Sequence, residues 1–348
     1  MRTMDTVPTL PTPARRRRRW SWILAAVVVL LAVGTGTVYA AGGYLAYEEL
    51  SVVHPHCGSR PFATQTPADF TVTGGGAADA AGLDITPYRF SDFSEVEFPT
   101  RGGGLTIRAW YAPPRQAGGP VVVVVHGRDA CRRDWSVLLP AGMLHRAGFG
   151  VVLPDLRNHG DSDIDNGRWA GGAKEYLDVL GAWDWLRGRG VAAERIGLVG
   201  MSLGAATVTI ATGEEPAVAA TWADSPYATY GVAAAEYAES NGYPSWVAGA
   251  AIPVARLLGE SRFATLEPAA EVAKLAGRPF FIVQGIDDTT VRAHNAIDVA
   301  AAAEAGGTFV EPWLVPKAGH TREVLLVTDR YEARLIGFFS EAIGAPSA

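Results

Sequence analysis

No charged residue occurs between Trp20 and Tyr47, and that uncharged run is long enough to cross a hydrocarbon core, which takes about 20 residues. Its most apolar part is Trp22 to Val33, and Gly34-Thr35-Gly36-Thr37 weakens the second half. A stretch rich in Pro, Gly, Thr and Ala then runs to about Pro87, with Gly74-Gly75-Gly76 at its centre, and reads as a linker or lightly ordered collar. The pattern changes at Glu95-Val96-Glu97-Phe98 and Leu105 to Trp110, two alternating runs suited to an antiparallel edge hairpin. Val121 to Val125 is a run of valines, the mark of a strand buried on both faces. Short apolar runs recur at Phe149–Leu153, Arg195–Val199, Ala219–Ala223, Pro279–Gly285 and Thr308–Val315. Helical stretches such as Ala173 to Arg187, and one beginning near Val291, separate them. This alternation predicts an α/β domain with a mostly parallel sheet and helices on both faces. The interval between Asp224 and Pro279 exceeds what one crossover helix needs, and Tyr230 to Leu258 reads as helical, with Tyr237, Tyr243, Trp246, Val247, Ile252, Leu257 and Leu258 among alanines.

The charges add a direction. Arg15 to Arg19 abut the apolar run, and of the thirty Lys and Arg, six (Arg2 and Arg15–Arg19) precede it, against Asp5 alone of the thirty-six acidic residues. Arginines beside a hydrophobic segment stay in the cytoplasm, so the chain beyond that segment is expected outside. Three readings agree on that side: a signal anchor, which we favour; a secretory signal cleaved after Val38-Tyr39-Ala40; or an export signal similar to the twin-arginine type at Arg18-Arg19. The expected organisation is a basic arm (1–19), an anchor (20–47), a collar (48–87) and a catalytic domain (88–345) with an insertion at about 226–264. The expected location is the cell membrane, single-pass, with the domain extracytoplasmic. The exported part is acidic, which disfavours nucleic acid or a broad basic face as the mode of binding. Cys57 and Cys131 are the two cysteines, and outside the cytoplasm they are free to pair, which would tie the juxtamembrane segment to the loop after the valine strand. A metal site of His54, His56 and Cys57 is disfavoured by the intervening Pro55 and the lack of a fourth ligand nearby.

Gly200-Met201-Ser202-Leu203-Gly204 lies between a strand-like run and the small residues Ala205-Ala206-Thr207. A G-x-S-x-G there reads as a sharp strand-to-helix turn that exposes a serine hydroxyl. Asp287 and Asp288 follow a later strand, and Lys317-Ala318-Gly319-His320 follows the last one. In a parallel sheet such loops leave the carboxyl ends of strands and converge on one crevice. The chemistry explains the residue types. A serine hydroxyl is a weak nucleophile until an imidazole takes its proton, and a carboxylate must hold and stabilise that imidazole. Ser202 is thus the candidate nucleophile and His320 the candidate base. Asp287, Asp288 and Asp224 compete for the acid, with Asp224 read as a turn or helix-cap residue at the mouth of the site.

The run Gly285-Ile286-Asp287-Asp288-Thr289-Thr290-Val291 resembles the G-x-x-D-x-x-V acid loop of α/β-hydrolases, which assigns the acid to Asp288. His126-Gly127-Arg128 resembles the H-G-x turn of that superfamily, and Asp155-Leu156-Arg157-Asn158-His159-Gly160-Asp161-Ser162 its D-x-R-x-H-G-x-S loop. The resemblance covers roughly residues 90–345. It implies an α/β-hydrolase fold, an oxyanion hole from the amides of Arg128 and Leu203, a structural role for His126, and a helical cap over the site. Among the branches the pattern looks most like membrane-anchored serine aminopeptidase-like and prolyl-oligopeptidase-like hydrolases. We expect ester hydrolysis through an acyl-enzyme on a small-molecule ester or peptide, with no cofactor or metal. An aminopeptidase would need carboxylates for the substrate ammonium, for which Glu236 and Glu239 are candidates. A silent membrane-tethered binding protein is the alternative of another class.

Overall fold

The computed structural model describes residues 13–346 apart from 54–56, 58, 59 and 61, and the side chains of 13–18 are not described. The arm before residue 13, and the His54/His56 half of the disfavoured metal triplet, therefore lie outside the described residues.

Helix α1 (Pro13–Ser51) is followed by the hairpin β1 (Ser94–Pro99) and β2 (Thr106–Ala112), then β3 (Val121–Val125), α2 (Trp135–Ala147), β4 (Gly150–Pro154) and α3 (Tyr176–Gly188). Next come β5 (Ile196–Met201), α4 (Leu203–Glu214), β6 (Ala220–Asp224), α5 (Tyr230–Ser240), α6 (Trp246–Leu257) and α7 (Pro268–Val272). The chain ends with β7 (Phe280–Gly285), α8 (His294–Ala305), β8 (Trp313–Val315), α9 (Glu323–Leu326) and α10 (Thr328–Ile343). The eight strands form one sheet in the order β1-β2-β4-β3-β5-β6-β7-β8. The β1–β2 and β2–β4 pairs are antiparallel and every later pair is parallel. This is the α/β-hydrolase architecture, with the central β3 and β5 buried along their whole length, as strands covered on both faces must be.

Two apolar layers flank the sheet. One packs α2 and α10 against it through Leu138, Leu139, Tyr331 and Phe339, and the other packs α3 through Val179, Leu180 and Leu186. Helix α4 lies buried along nearly its whole length. Its Thr207, Thr209 and Thr212 hydroxyls return to carbonyls four residues back, so no polar group there is stranded.

Some expectations need correcting. The last strand is confined to Trp313–Val315 rather than Thr308–Val315. Pro312 has no N–H to give to a ladder, so pairing starts only after it. The helix expected near Val291 begins at His294, because the backbone amides of Thr290 and Val291 are turned to the Asp288 carboxylate instead. The collar is not a loose tether: Phe62, Phe70 and Ile85 are buried in it, and a Cys57–Cys131 disulfide joins it to the loop after β3.

Helix α1 has two halves with different surroundings. From Arg19 to Ala41 every residue is exposed. Beyond that, the helix docks along α6 through Gly43, Ala46, Tyr47 and Leu50. The approach is close, since a Cβ on Gly43 would lie 2.6 Å from the Ala250 carbonyl oxygen. Gly43→Leu should therefore force the two helices apart and cost about 1–3 kcal/mol. In thermal melts of the detergent-solubilised full chain we expect a Tm several degrees lower, whereas Gly36→Leu, where a Cβ meets nothing, should leave Tm within a degree or so.

Candidate active site

The serine turn is built by what its glycines lack. Ser202 takes φ 55° and ψ −116°, a positive-φ conformation that strains a residue with a Cβ by about 1–3 kcal/mol. A Cβ on Gly200 would stand 2.2 Å from the Gly204 carbonyl oxygen, and one on Gly204 would stand 2.3 Å from that of Val125. Only glycine lets β5, α4 and β3 meet so closely. The turn is pinned by the Ser202 amide, which donates to the Asp224 carbonyl at 2.8 Å.

Three side chains from three loops converge there. Ser202 Oγ is 2.7 Å from His320 Nε2, and His320 Nδ1 is 2.7 Å from Asp288 Oδ2. The same Asp288 oxygen accepts from Gln284 Nε2 at 2.8 Å, and its other oxygen accepts from the amides of Thr290 and Val291. The carboxylate is thus held from four sides. Asp287, its neighbour in sequence, makes none of these contacts. Gly127 packs its backbone against the serine turn, where a Cβ would lie 3.3 Å from Ser202 Cβ. Among the described residues no protein group accepts the Arg128 amide, and the Leu203 amide is the first of α4, which has no intrahelical acceptor.

The loop after β3 is clamped from below. His126 Nδ1 donates to the Gly127 carbonyl, and its Nε2 accepts from the Leu156 amide at 3.0 Å, which fixes the neutral tautomer. Asp155 accepts from the Arg132 and Asp161 amides, and Arg157 pairs with Asp178. Gly160 turns over Asp155 at a distance no Cβ would permit.

Asp224 is neither a helix cap nor at the mouth. It ends β6 with its carboxylate buried, accepting from Tyr331 at 2.7 Å and Ser225 at 3.0 Å, and burial pushes it up to about 6. Glu323, also buried beside it, is pushed well above the usual carboxylate range by the same cause. Nothing in the sequence pattern marked this acid pair.

Two cavities meet at Ser202 and His320. One, of about 250 Å³, is lined by Leu50, Trp169, Leu203, Tyr227, Tyr230 and Tyr237 among others. Its one acidic side chain, Asp129, faces Arg128 at 3.4 Å. Glu236 and Glu239 line neither wall. Glu236 accepts from Asn295 and the Arg292 amide and faces His294, while Glu239 pairs with Arg292. The second cavity, of about 300 Å³, brings in collar residues that sequence reasoning missed, with Arg60 and Gly74-Gly75 opposite Trp135 and Arg322. Leu50 and Glu49 of α1 were missed too. The Glu49 carbonyl accepts from Arg128 Nη2 at 2.7 Å, and no spacing rule could have placed the end of the N-terminal helix in the pocket wall.

The prolyl oligopeptidase family matches this chain over residues 135–345. The chain belongs to that family. It is a serine hydrolase of the α/β-hydrolase superfamily, and the silent binding protein is set aside. An esterase from Pyrococcus furiosus superposes with a TM-score of 0.61 at 20% identity, covering 85% of this chain and 100% of its own. The acylaminoacyl peptidase of Pyrococcus horikoshii gives 0.55 at 16%, covering 74% of this chain and 43% of that one. An uncharacterised 31.7 kDa protein of Escherichia coli is 31% identical over 139 residues, 39% of this chain and 43% of that protein. The chain thus matches less than half the length of this curated relative.

Buried His126 and His159 are held well below the usual histidine range, at about 4 and about 3, first by desolvation. The unfolded chain takes up these protons near pH 6.5 and the folded chain does not, so stability falls as pH drops from about 6.5 toward 4. Urea melts across that window should show this loss, and His159→Gln should flatten its slope.

Proposed function

We propose that Ser202 is the nucleophile of a membrane-anchored, extracytoplasmic esterase, with His320 as general base and acid and Asp288 as orienting acid. The observation that carries this is the unbroken line from Ser202 Oγ through the His320 ring to Asp288, both links at 2.7 Å, beside two amides without protein acceptors. His320 Nε2 takes the hydroxyl proton as Oγ attacks the carbonyl carbon. The negative charge that develops on the carbonyl oxygen meets the Arg128 and Leu203 N–H groups, worth about 3–4 kcal/mol each in comparable sites. The imidazolium, steadied by Asp288, then gives its proton to the leaving oxygen, and water repeats the sequence on the acyl-enzyme.

Esters are favoured over free amino termini by what the first cavity offers. Its walls are aromatic and aliphatic, and the cap carboxylates that would hold an ammonium are engaged elsewhere. The family and the peptidase among the structural neighbours keep peptide-bond cleavage as a second reading. On the ester reading, a fluorophosphonate probe labels the parent protein and Ser202→Ala abolishes labelling. Asp288→Asn should lower kcat by about 10⁴. A parent that takes no label, or that turns over aminoacyl amides faster than acyl esters of equal size, would count against an esterase.

Anchoring rests on α1. Its exposed length from Arg19 to Ala41 is about 34 Å at 1.5 Å per residue, enough to span a bilayer with the arginine block in the cytoplasm. The helix continues unbroken through Val38-Tyr39-Ala40, whereas cleavage needs an extended segment. Tyr39 stacks on Trp246 of the cap at 5.9 Å, with exposed Tyr243 nearby in sequence, aromatic residues suited to a membrane interface. Alkaline carbonate washing should leave the full chain in the membrane pellet. A soluble product beginning at Ala41 would show a cleaved signal instead.

A further inference from the structure

We infer that the second cavity is an anion subsite, and that Arg322 recognises a carboxylate or phosphate on the leaving arm of the substrate. The inference rests on the ester reading above. Arg322 lies two residues beyond His320, and its guanidinium stacks over the Trp135 ring at 5.2 Å. On its other face the collar has glycines where side chains would collide. A Cβ on Gly75 would lie 2.7 Å from Arg322 Nη2, and one on Gly76 would meet Nη1 closer still. The collar backbone is therefore shaped to admit this guanidinium.

The group so housed is left unsatisfied. Among the described residues Arg322 Nη1 is buried without a hydrogen-bond partner, and the ion pair between Arg322 Nε and Asp79 is long at 3.8 Å. A buried guanidinium donor left unpaired is costly, and a planar fork of donors suits a carboxylate or phosphate. The other charges around the cavity have charged or backbone neighbours, though Arg128 Nε and Asp129 Oδ1 make no hydrogen bond among the described residues. Asp134 gives its carboxylate to the Ser136 amide at the start of α2. Asp129 lies between Arg128 and Arg60, at 3.4 Å and 4.0 Å. The cavity reaches Ser202 and His320. The two arms of an ester diverge from one carbonyl carbon, so an acyl arm in the apolar cavity sends the leaving arm here.

The test compares phenyl butyrate with 4-carboxyphenyl butyrate and 4-(phosphonooxy)phenyl butyrate, and adds phenyl hemisuccinate to place the carboxylate on the acyl arm. The two anionic leaving-arm esters show which anion is preferred. In Arg322→Met, kcat/KM for one or both should fall roughly ten- to a hundredfold further than for phenyl butyrate, chiefly through KM, with partial recovery in Arg322→Lys. Equal losses on all four esters, or a loss confined to the hemisuccinate, overturns the inference. Fluorophosphonate labelling of each variant separates the two levels. Labelled variants without charge discrimination sink the subsite and leave the hydrolase standing, whereas an unlabelled parent sinks both.

Discussion

The constraint on which the rest depends is the contact of three backbones at the serine turn. Gly200 and Gly204 have no Cβ, so β3, β5 and the first turn of α4 approach to distances that a methyl group would forbid. That approach does three things at once. It holds Ser202 in its positive-φ conformation, with Oγ toward His320. It also points the first amide of α4 into the site and sets Gly127 against the turn, so that the Arg128 amide comes alongside. The strain at Ser202 persists because the sheet over-determines it, with Gly197–Gly200 of β5 paired on both sides.

The surrounding loops hold these groups through hydrogen bonds to the Asp288 carboxylate and the His126 ring. Asp288 accepts two backbone amides and a glutamine besides His320, so the carboxylate cannot swing away without losing several charge-assisted hydrogen bonds. His126 bridges β3 to the loop after β4 in one tautomer. Beneath them, the buried pair Asp224 and Glu323 shares the Ser225 hydroxyl, and Tyr331 donates to Asp224 alone. Burial pushes both carboxyls upward, Asp224 to about 6, so each holds its proton more tightly than an exposed carboxyl does.

Much of this was legible in the chain because the α/β pattern is local. The valine run, the apolar strand ending at Gly285 and the Gly-x-Ser-x-Gly turn each announce themselves within a few residues, and parallel strands bring their carboxyl-end loops to one edge. What was not legible is whatever depends on contacts far apart in sequence. The Thr308–Val315 strand shortened because Pro312 cannot join a ladder. Asp224 looked like a turn residue because nothing nearby reveals Tyr331, 107 positions away. Glu236 and Glu239 looked available because their partners Arg292, His294 and Asn295 sit on a different helix or just before it.

The segments that shape the site most individually lie outside the family match of 135–345. The Arg128 guanidinium is received by the Glu49 carbonyl at the end of α1 and lies over Trp169 and Tyr237. The collar is joined to the loop after β3 through Cys57 and Cys131, and its glycine turn forms the far wall of the second cavity. The shared domain therefore supplies the hydrogen-bonded line from Ser202 to Asp288, while α1 and the collar supply walls on either side of it. A helix rigidly docked on the cap through Gly43 also couples pocket shape to whatever holds that helix. On the anchored reading, the bilayer that receives α1 thereby fixes the position of Leu50 in the pocket wall, and the enzyme's selectivity and its attachment to the membrane become properties of one continuous helix.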